Sequence, residues 1–175
     1  MAHASSEMPY FIKPSVNLDT AGKEAAYQEA VAAIDANLQG ESNVILKMAT
    51  INCLLKTALP YYYWVGFYMV ENGQLVVGPY QGTLGCLYIA FGKGVCGKVA
   101  ETKKTQIEED VHALTEGVNH IACDPNSRSE IVVPVFNPAG DLLAVFDVDS
   151  TAKASFDAVD QHYLELIMNK HFKQA

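Results

Sequence analysis

The residues in this sequence best suited to chemistry are its cysteines and a late group of carboxylates. Cys123 lies in His120-Ile121-Ala122-Cys123-Asp124, and Pro125, Asn126 and Ser127 follow it. These are mostly turn-forming types, so the thiol belongs to a loop. A lone cysteine usually ends as an inert buried thiol, whereas a loop thiol near a carboxylate cluster is a candidate nucleophile. Cys96 falls near the start of an expected short helix, whose amino end would lower its thiol pKa. Cys86 closes a second glycine-flanked loop, Gly82-Thr83-Leu84-Gly85-Cys86. Three thiols in three loops suggest thiol–disulfide exchange, in which one attacks and another resolves. Cys53, inside the helical run Ile51-Asn52-Cys53-Leu54-Leu55, reads as core packing. The chain has no C-x-x-C pair, and His112 and His120 stand at no recognised metal spacing from the cysteines, so no metal is expected.

Glu130 comes seven residues after Cys123 and leads into the apolar run Ile131 to Phe136. A second run, Asp141 to Asp149, returns after Asn137-Pro138-Ala139-Gly140. If Asn137 pairs with Gly140, then Phe136 faces Asp141, Val132 faces Val145 and Glu130 faces Asp147. Strand side chains alternate between faces, so Glu130, Asp147 and Asp149 share one. Like charges so placed are destabilising. They need a cation, or a proton held by a carboxyl of raised pKa. An exposed strand end with solvated acids would account for the same residues, and a one-residue slip would turn Glu130 to the other face. Trp64 and Tyr68 are four apart and share a face with Gly66 between them. Two aromatic walls over a glycine would hold a methyl group; ordinary aromatic core packing is the alternative.

Gly92, Gly94 and Gly97 spell G-x-G-x-x-G between an expected strand and an expected helix. That is the context of a dinucleotide-binding loop. The chain is too short for a dinucleotide fold plus a substrate domain, and the strands downstream form a hairpin instead of alternating with helices. Cys96 also interrupts the loop. A tight turn into a helix is the simpler account.

The elements that must position these groups can be read from periodicity. Ala21 to Leu38 is rich in helix formers, with Tyr27, Val31, Ile34 and Leu38 on one face and Gly40 as the stop. Ser42 to Leu59 continues as a second helix with Val44, Ile45, Met48, Ile51, Leu54 and Leu55 apolar, ended by Pro60. Tyr61 to Val70 and Gln74 to Tyr80 read as strands joined by Asn72-Gly73, a strong hairpin signal. Leu87 to Phe91 is a short strand, a helix runs from Gly97 to about Lys103, and Thr105 to Glu108 is another strand. Ser129 to Phe136 and Asp141 to Asp149 form the second hairpin. Asp157 to Phe172 closes as an amphipathic helix, with Val159, Tyr163, Leu166 and Ile167 on its packed face. The pattern is one α+β domain with a central, largely antiparallel sheet flanked by helices, over residues 21–175, after an N-terminal extension of residues 1–20.

Composition narrows the partners. The 175 residues are 50% apolar and 18% charged, which supports a packed core and excludes general disorder. A net charge of −8 offers no footprint for a nucleic-acid backbone or an anionic membrane surface. The longest apolar stretch falls short of the ~20 residues of a membrane helix, and the first twenty residues show no targeting pattern. A cytoplasmic protein is expected, where cysteines stay reduced unless they do redox or catalytic work.

Four segments carry a family resemblance: YYYWVGFYMV, the loop VVGPYQGTLGCLYIAFGKGVCGKVAET, HIACD followed by SRSEIVVPVF, and LLAVFDVDS. They resemble the free methionine-(R)-sulfoxide reductases, small enzymes built on a GAF domain. The resemblance runs from about Tyr10 to Phe172, with all three loop cysteines and all three carboxylates at the family's spacing. It implies a central antiparallel sheet with helices behind it and loops enclosing a small cavity. It implies reduction of free, not peptide-bound, methionine-R-sulfoxide, with thioredoxin as reductant and no metal or organic cofactor. On that resemblance Cys123 is the nucleophile, and Cys86 and Cys96 are both candidates to resolve it. Glu130, Asp147 and Asp149 are the substrate-facing acids, Glu130 or Asp149 supplying a proton, and Trp64 and Tyr68 line the cavity. A GAF-type module that senses a small ligand without chemistry is the competing reading, and the three loop thiols argue against it. Exposed helix ends would allow a homodimer.

Overall fold

Asp19 starts the first helix by accepting a hydrogen bond from the Gly22 amide at 2.8 Å, and α1 runs over Thr20–Asn37. Asn43 caps α2, Val44–Ala58, through the Leu46 amide at 3.1 Å. The structure, a computed structural model, describes residues 13–114 and 123–174. β1 spans Trp64–Glu71 and β2 spans Gln74–Gln81, with Asn72 and Gly73 both at positive φ in the turn. β1 starts three residues later than the aromatic run suggests: Tyr61 and Tyr62 turn out of α2 with buried rings, the Tyr62 amide donating back to the Leu59 carbonyl, and the Tyr63 amide donates to the Asp149 carbonyl just ahead of the strand. β3 (Tyr88–Ala90), α3 (Gly94–Thr102) and β4 (Gln106–Glu108) follow. β5 (Ser129–Phe136), β6 (Leu142–Ser150) and α4 (Ala158–Met168) complete the order, and one π-helical turn over Asn169–Lys173 extends α4. α3 begins at Gly94, ahead of the expected Gly97, so Cys96 sits in its first turn.

All six strands form one antiparallel sheet in the order β3-β2-β1-β6-β5-β4. One face carries Phe67, Ile131, Val133, Phe146 and Val148 into a core with Tyr27, Ile34, Met48, Ile51 and Leu55 of α1 and α2 and Leu164 and Ile167 of α4. The opposite face packs Trp64, Tyr68, Val132 and Val145 against α3 through Val95, Cys96 and Val99. Among the described residues no helix is long and apolar enough to cross a membrane.

The β5–β6 register differs from the expected one by two residues. Glu130 pairs with Asp149 and Val132 with Asp147, where Glu130 opposite Asp147 was expected. The turn closes one residue wider, with the Asn137 amide donating to the Asp141 carbonyl at 2.9 Å. An irregularity between Val135 and Phe136 leaves Leu143 unmatched and adds the second residue. Two steps preserve facing, so Glu130, Asp147 and Asp149 still share a face.

Three surface assignments need correction. Cys53 is exposed, since α2 buries Met48, Ile51, Asn52 and Leu55 and turns the intervening position outward. Ile45 and Leu166, expected on packed faces, are 50% and 42% exposed. α4 is rotated because it buries Asp160 completely, together with Leu164, Ile167 and Met168. Asp160 Oδ2 accepts from Lys23 Nζ at 2.6 Å and Oδ1 accepts from the Tyr27 and Tyr61 hydroxyls at 2.8 and 2.6 Å. Lys23 is itself only 3% exposed. Removing the carboxylate leaves the buried ammonium only Asp157 and the Ser155 carbonyl and takes the acceptor from the Tyr61 hydroxyl, so Asp160→Ala is expected to lower unfolding free energy by about 3 kcal/mol in urea denaturation.

Candidate active site

Three adjacent strands set the functional side chains in rows. Trp64 of β1 pairs with Asp149 of β6, which pairs on its other side with Glu130 of β5. The next row on the same face is Gly66, Asp147 and Val132, and the next is Tyr68, Val145 and Pro134. The carboxyls are thus held by backbone ladders, with little freedom to separate. Trp64 stacks between Tyr68 (centroids 5.7 Å, planes at 20°) and Tyr80 (5.2 Å, 17°). Gly66 does not leave an open slot for a methyl group, as its position between two aromatics suggested. A Cβ there would meet the Tyr80 Cβ and lie 2.7 Å from the Trp64 ring, so the glycine is needed to let the indole lie flat. Trp64 Nε1 donates to the Thr83 carbonyl at 3.0 Å and anchors the loop that carries Cys86.

This face opens into a cavity with about 530 Å³ of empty volume, partly open to solvent. Trp64, Tyr68, Cys96 and Cys123 line it together with Glu130, Asp147 and Asp149. Cys86 and Cys123 are joined in a disulfide with Cα atoms 5.3 Å apart. Cys96 stays free and buried. Its thiol points to Glu130 Oε1 at 3.9 Å. Helix position does not lower this pKa: burial raises it well above the ordinary thiol value, and the charges of Asp147, Glu130 and Asp149 raise it further. Cys96 Sγ and carboxylate oxygens of Glu130 and Asp147 lie within 4.8 Å of one another, a spacing that could also hold a metal ion. The glycine loop is explained by packing: a Cβ on Gly97 would strike the Ala90 carbonyl, and the Gly92 amide donates to the Gly97 carbonyl at 2.8 Å.

The GAF domain family pattern matches residues 55–170. The free methionine-R-sulfoxide reductase of Saccharomyces cerevisiae is 37% identical over 150 residues, covering 82% of this chain and 82% of the yeast protein. Protein YtsP of Bacillus subtilis is 40% identical over 151 residues, covering 85% and 90%. The X-ray structure of free methionine-R-sulfoxide reductase from Neisseria meningitidis in complex with its substrate superposes with a TM-score of 0.79 at 37% identity, covering 92% of this chain and 95% of that one. The chain belongs to the free methionine-(R)-sulfoxide reductase family of GAF-domain proteins.

Within this family member, one residue that the sequence reading passed over ties the thiol loops together. Asp124 Oδ2 accepts from the Tyr63 hydroxyl at 2.7 Å and from Thr83 Oγ1 at 2.5 Å, while Oδ1 accepts from the Asn126 amide at 2.8 Å. The residue after Cys123 is therefore tethered to the loop before Cys86. Burial alone would raise the Asp124 pKa, but the hydrogen bonds from Thr83, Asn126 and Tyr63 outweigh it and hold the carboxyl below its usual range. The Asp-Pro-Asn turn signature pointed to the local Asn126 bond; nothing local pointed to Thr83 or Tyr63. Ser127, Lys93 and Ile89 also line the cavity without a prior sequence signal. His120, considered for a metal site, lies outside the described residues.

The three acids behave as one electrostatic unit. Burial pushes Asp147 up to about 7, with Cys96 and Glu130 pulling the other way. Glu130 is raised well above its usual value by burial first and then by Asp147 and Asp149, and Asp149 by burial and Asp147. Among the described residues no salt bridge reaches any of them. A carboxyl with a raised folded pKa holds a proton that the unfolded chain has already released. Its stabilising contribution is complete below the unfolded pKa of about 4 and is lost as pH rises through the folded value. The urea midpoint is therefore expected to fall from about pH 4 to beyond pH 7, and more steeply in the wild type than in Asp147→Asn.

Proposed function

We propose that this protein reduces free L-methionine-(R)-sulfoxide to L-methionine by thiol chemistry. The observation that carries the reading is Asp147 Oδ1, a buried carboxyl oxygen without a hydrogen-bond partner, on a residue that lines the cavity with Cys123. A buried acceptor left unpaired is costly. The α-ammonium of a free amino acid would satisfy it and would restore the ionised form of the acids around it. An internal residue of a peptide has no ammonium to offer. The names of the yeast and Neisseria proteins supply the sulfoxide.

In this mechanism the Cys123 thiolate attacks the sulfoxide sulfur, and a protonated carboxyl, Glu130 or Asp149, gives its proton to the oxygen. The oxygen then transfers to Cys123: a Cys123 S–O bond forms, the substrate S–O bond and the transient sulfur–sulfur bond break, and Cys123 is left as a sulfenic acid. Methionine sulfur gains the two electrons that Cys123 loses. The Cys86 thiol then condenses with the sulfenic acid and releases water. The Cys86–Cys123 disulfide, and the buried, high-pKa state of Cys96, support giving the resolving role to Cys86. Thioredoxin, a cytoplasmic dithiol protein, supplies two electrons to reopen the disulfide. Trp64 and Tyr68 wall the cavity against the methyl and methylene groups. The reaction needs no metal or organic cofactor.

NADPH oxidation coupled through thioredoxin reductase and thioredoxin tests the reading. The R epimer of free methionine sulfoxide is expected to turn over, and the S epimer and N-acetylmethionine sulfoxide are not. Cys123→Ser is expected at background, and Glu130→Gln roughly 10²-fold slower. Full turnover by Cys123→Ser would remove it as nucleophile. Binding of methionine without reduction of either epimer would favour a ligand-sensing role.

A further inference from the structure

The disulfide lies at the margin of an unusual surface. Of the seven large apolar side chains exposed among the described residues, three flank Cys86: Leu84, Leu87 and Tyr88, at 64%, 56% and 63% exposure. Tyr88 is on β3, the last strand of the sheet on that side, where it alternates with buried Ile89. Among the described residues β3 pairs only with β2, and its outer edge has no strand partner there. Open edges are normally guarded by charge, proline, a bulge or short length, and β3 has only the last of these with its three residues. The edge continues into an apolar loop that carries the disulfide. Among the described residues, no backbone group of Leu84, Gly85 or Cys86 is hydrogen-bonded. Exposed apolar residues clustered beside a free edge mark a place where another chain can pair and pack.

The two sulfurs of the disulfide are not equivalent. Cys123 lines the cavity beside Glu130, Asp147 and Asp149, and Cys86 does not. Among the described residues, Cys86 has the exposed side chains of Leu84, Leu87 and Tyr88 beside it, while Cys123 sits with the acids in the cavity that Leu84 also borders. We propose, resting on the thiol mechanism above, that Leu84, Leu87, Tyr88 and the β3 edge dock a protein dithiol reductant of the thioredoxin class, and that its thiolate attacks Cys86. A bond forms between the reductant's first sulfur and Cys86 Sγ, and the Cys86–Cys123 bond breaks. Cys123 leaves as a thiolate, already inside the cavity where it next meets sulfoxide. The reductant's second thiolate then attacks its own first sulfur and releases Cys86 as a thiolate. The reductant ends as a disulfide, this protein as two thiols, and two electrons have passed.

Leu87→Asp and Tyr88→Asp test the surface, since both side chains are exposed and neither lines the cavity. In the full-length protein, kcat/KM for thioredoxin is expected to fall at least ~10-fold. Turnover with dithiothreitol and KM for methionine sulfoxide should stay as in the wild type. Incubating the oxidised protein with thioredoxin whose second cysteine is serine should trap a mixed disulfide, mapped by mass spectrometry to Cys86. A mixed disulfide on Cys123 overturns the proposal. So does an unchanged kcat/KM in both variants, including the case where they merely convert a dimer to a monomer and the surface joins two copies of this chain. If the wild type turns over with dithiothreitol and not with thioredoxin, the thioredoxin reading fails, and the docking proposal with it.

Discussion

Glu130, Asp147 and Asp149 meet on one face of adjacent strands, and their mutual burial costs free energy that the rest of the fold must offset. Side chains on loops would move apart. These cannot, because β5 and β6 are laddered over eight registered pairs and β6 is laddered again to β1. The sheet therefore acts as a clamp on like charges. What it holds is a cavity in which burial keeps the Asp147 proton to near neutral pH and one Asp147 carboxyl oxygen is buried without a hydrogen-bond partner.

The two faces of that sheet divide stability from chemistry. The helix-covered face buries nearly all of its residues in an apolar core. Its buried charge pair, Lys23 with Asp160, is completed by Asp157, Tyr27, Tyr61 and backbone groups. Every partner there is satisfied, which is the condition under which buried charge is tolerated. The other face leaves polar groups short of partners and covers them with one short helix and loops. A well-packed core on one side makes strain on the other affordable.

The thiols are arranged by the same logic. Cys96 is held close under the carboxyls, where burial and negative neighbours keep its proton on. Cys123 and Cys86 come from loops 37 residues apart in sequence and are brought together by Asp124, which reaches from one loop to Thr83 of the other. Trp64 fixes the second loop from below through the Thr83 carbonyl. A single residue, Thr83, thus ties both the cavity wall and the Cys123 loop, accepting from Trp64 and donating to Asp124.

Much of this was determined locally. Alternation and turn chemistry marked both hairpins, and the period of two put Glu130, Asp147 and Asp149 on a common face even though the register expected from the turn was off by two residues. That error was harmless because facing depends only on whether the shift is odd or even. The loop settings of Cys86 and Cys123 were also legible, since Gly, Pro, Asn and Asp mark turns by their own backbone preferences. Tertiary structure alone decided the rest. Cys96 looked like an activated thiol at a helix start, and burial reversed that. Cys53 looked like core, and helix rotation exposed it. Asp160 carried no signal in the sequence, and Lys23, far away in the chain, pairs with it inside. Periodicity reports which face a residue shares with its neighbours, because that is set by bonds along the chain. It does not report what lies opposite that face, and pKa, pairing and exposure are set by what lies opposite.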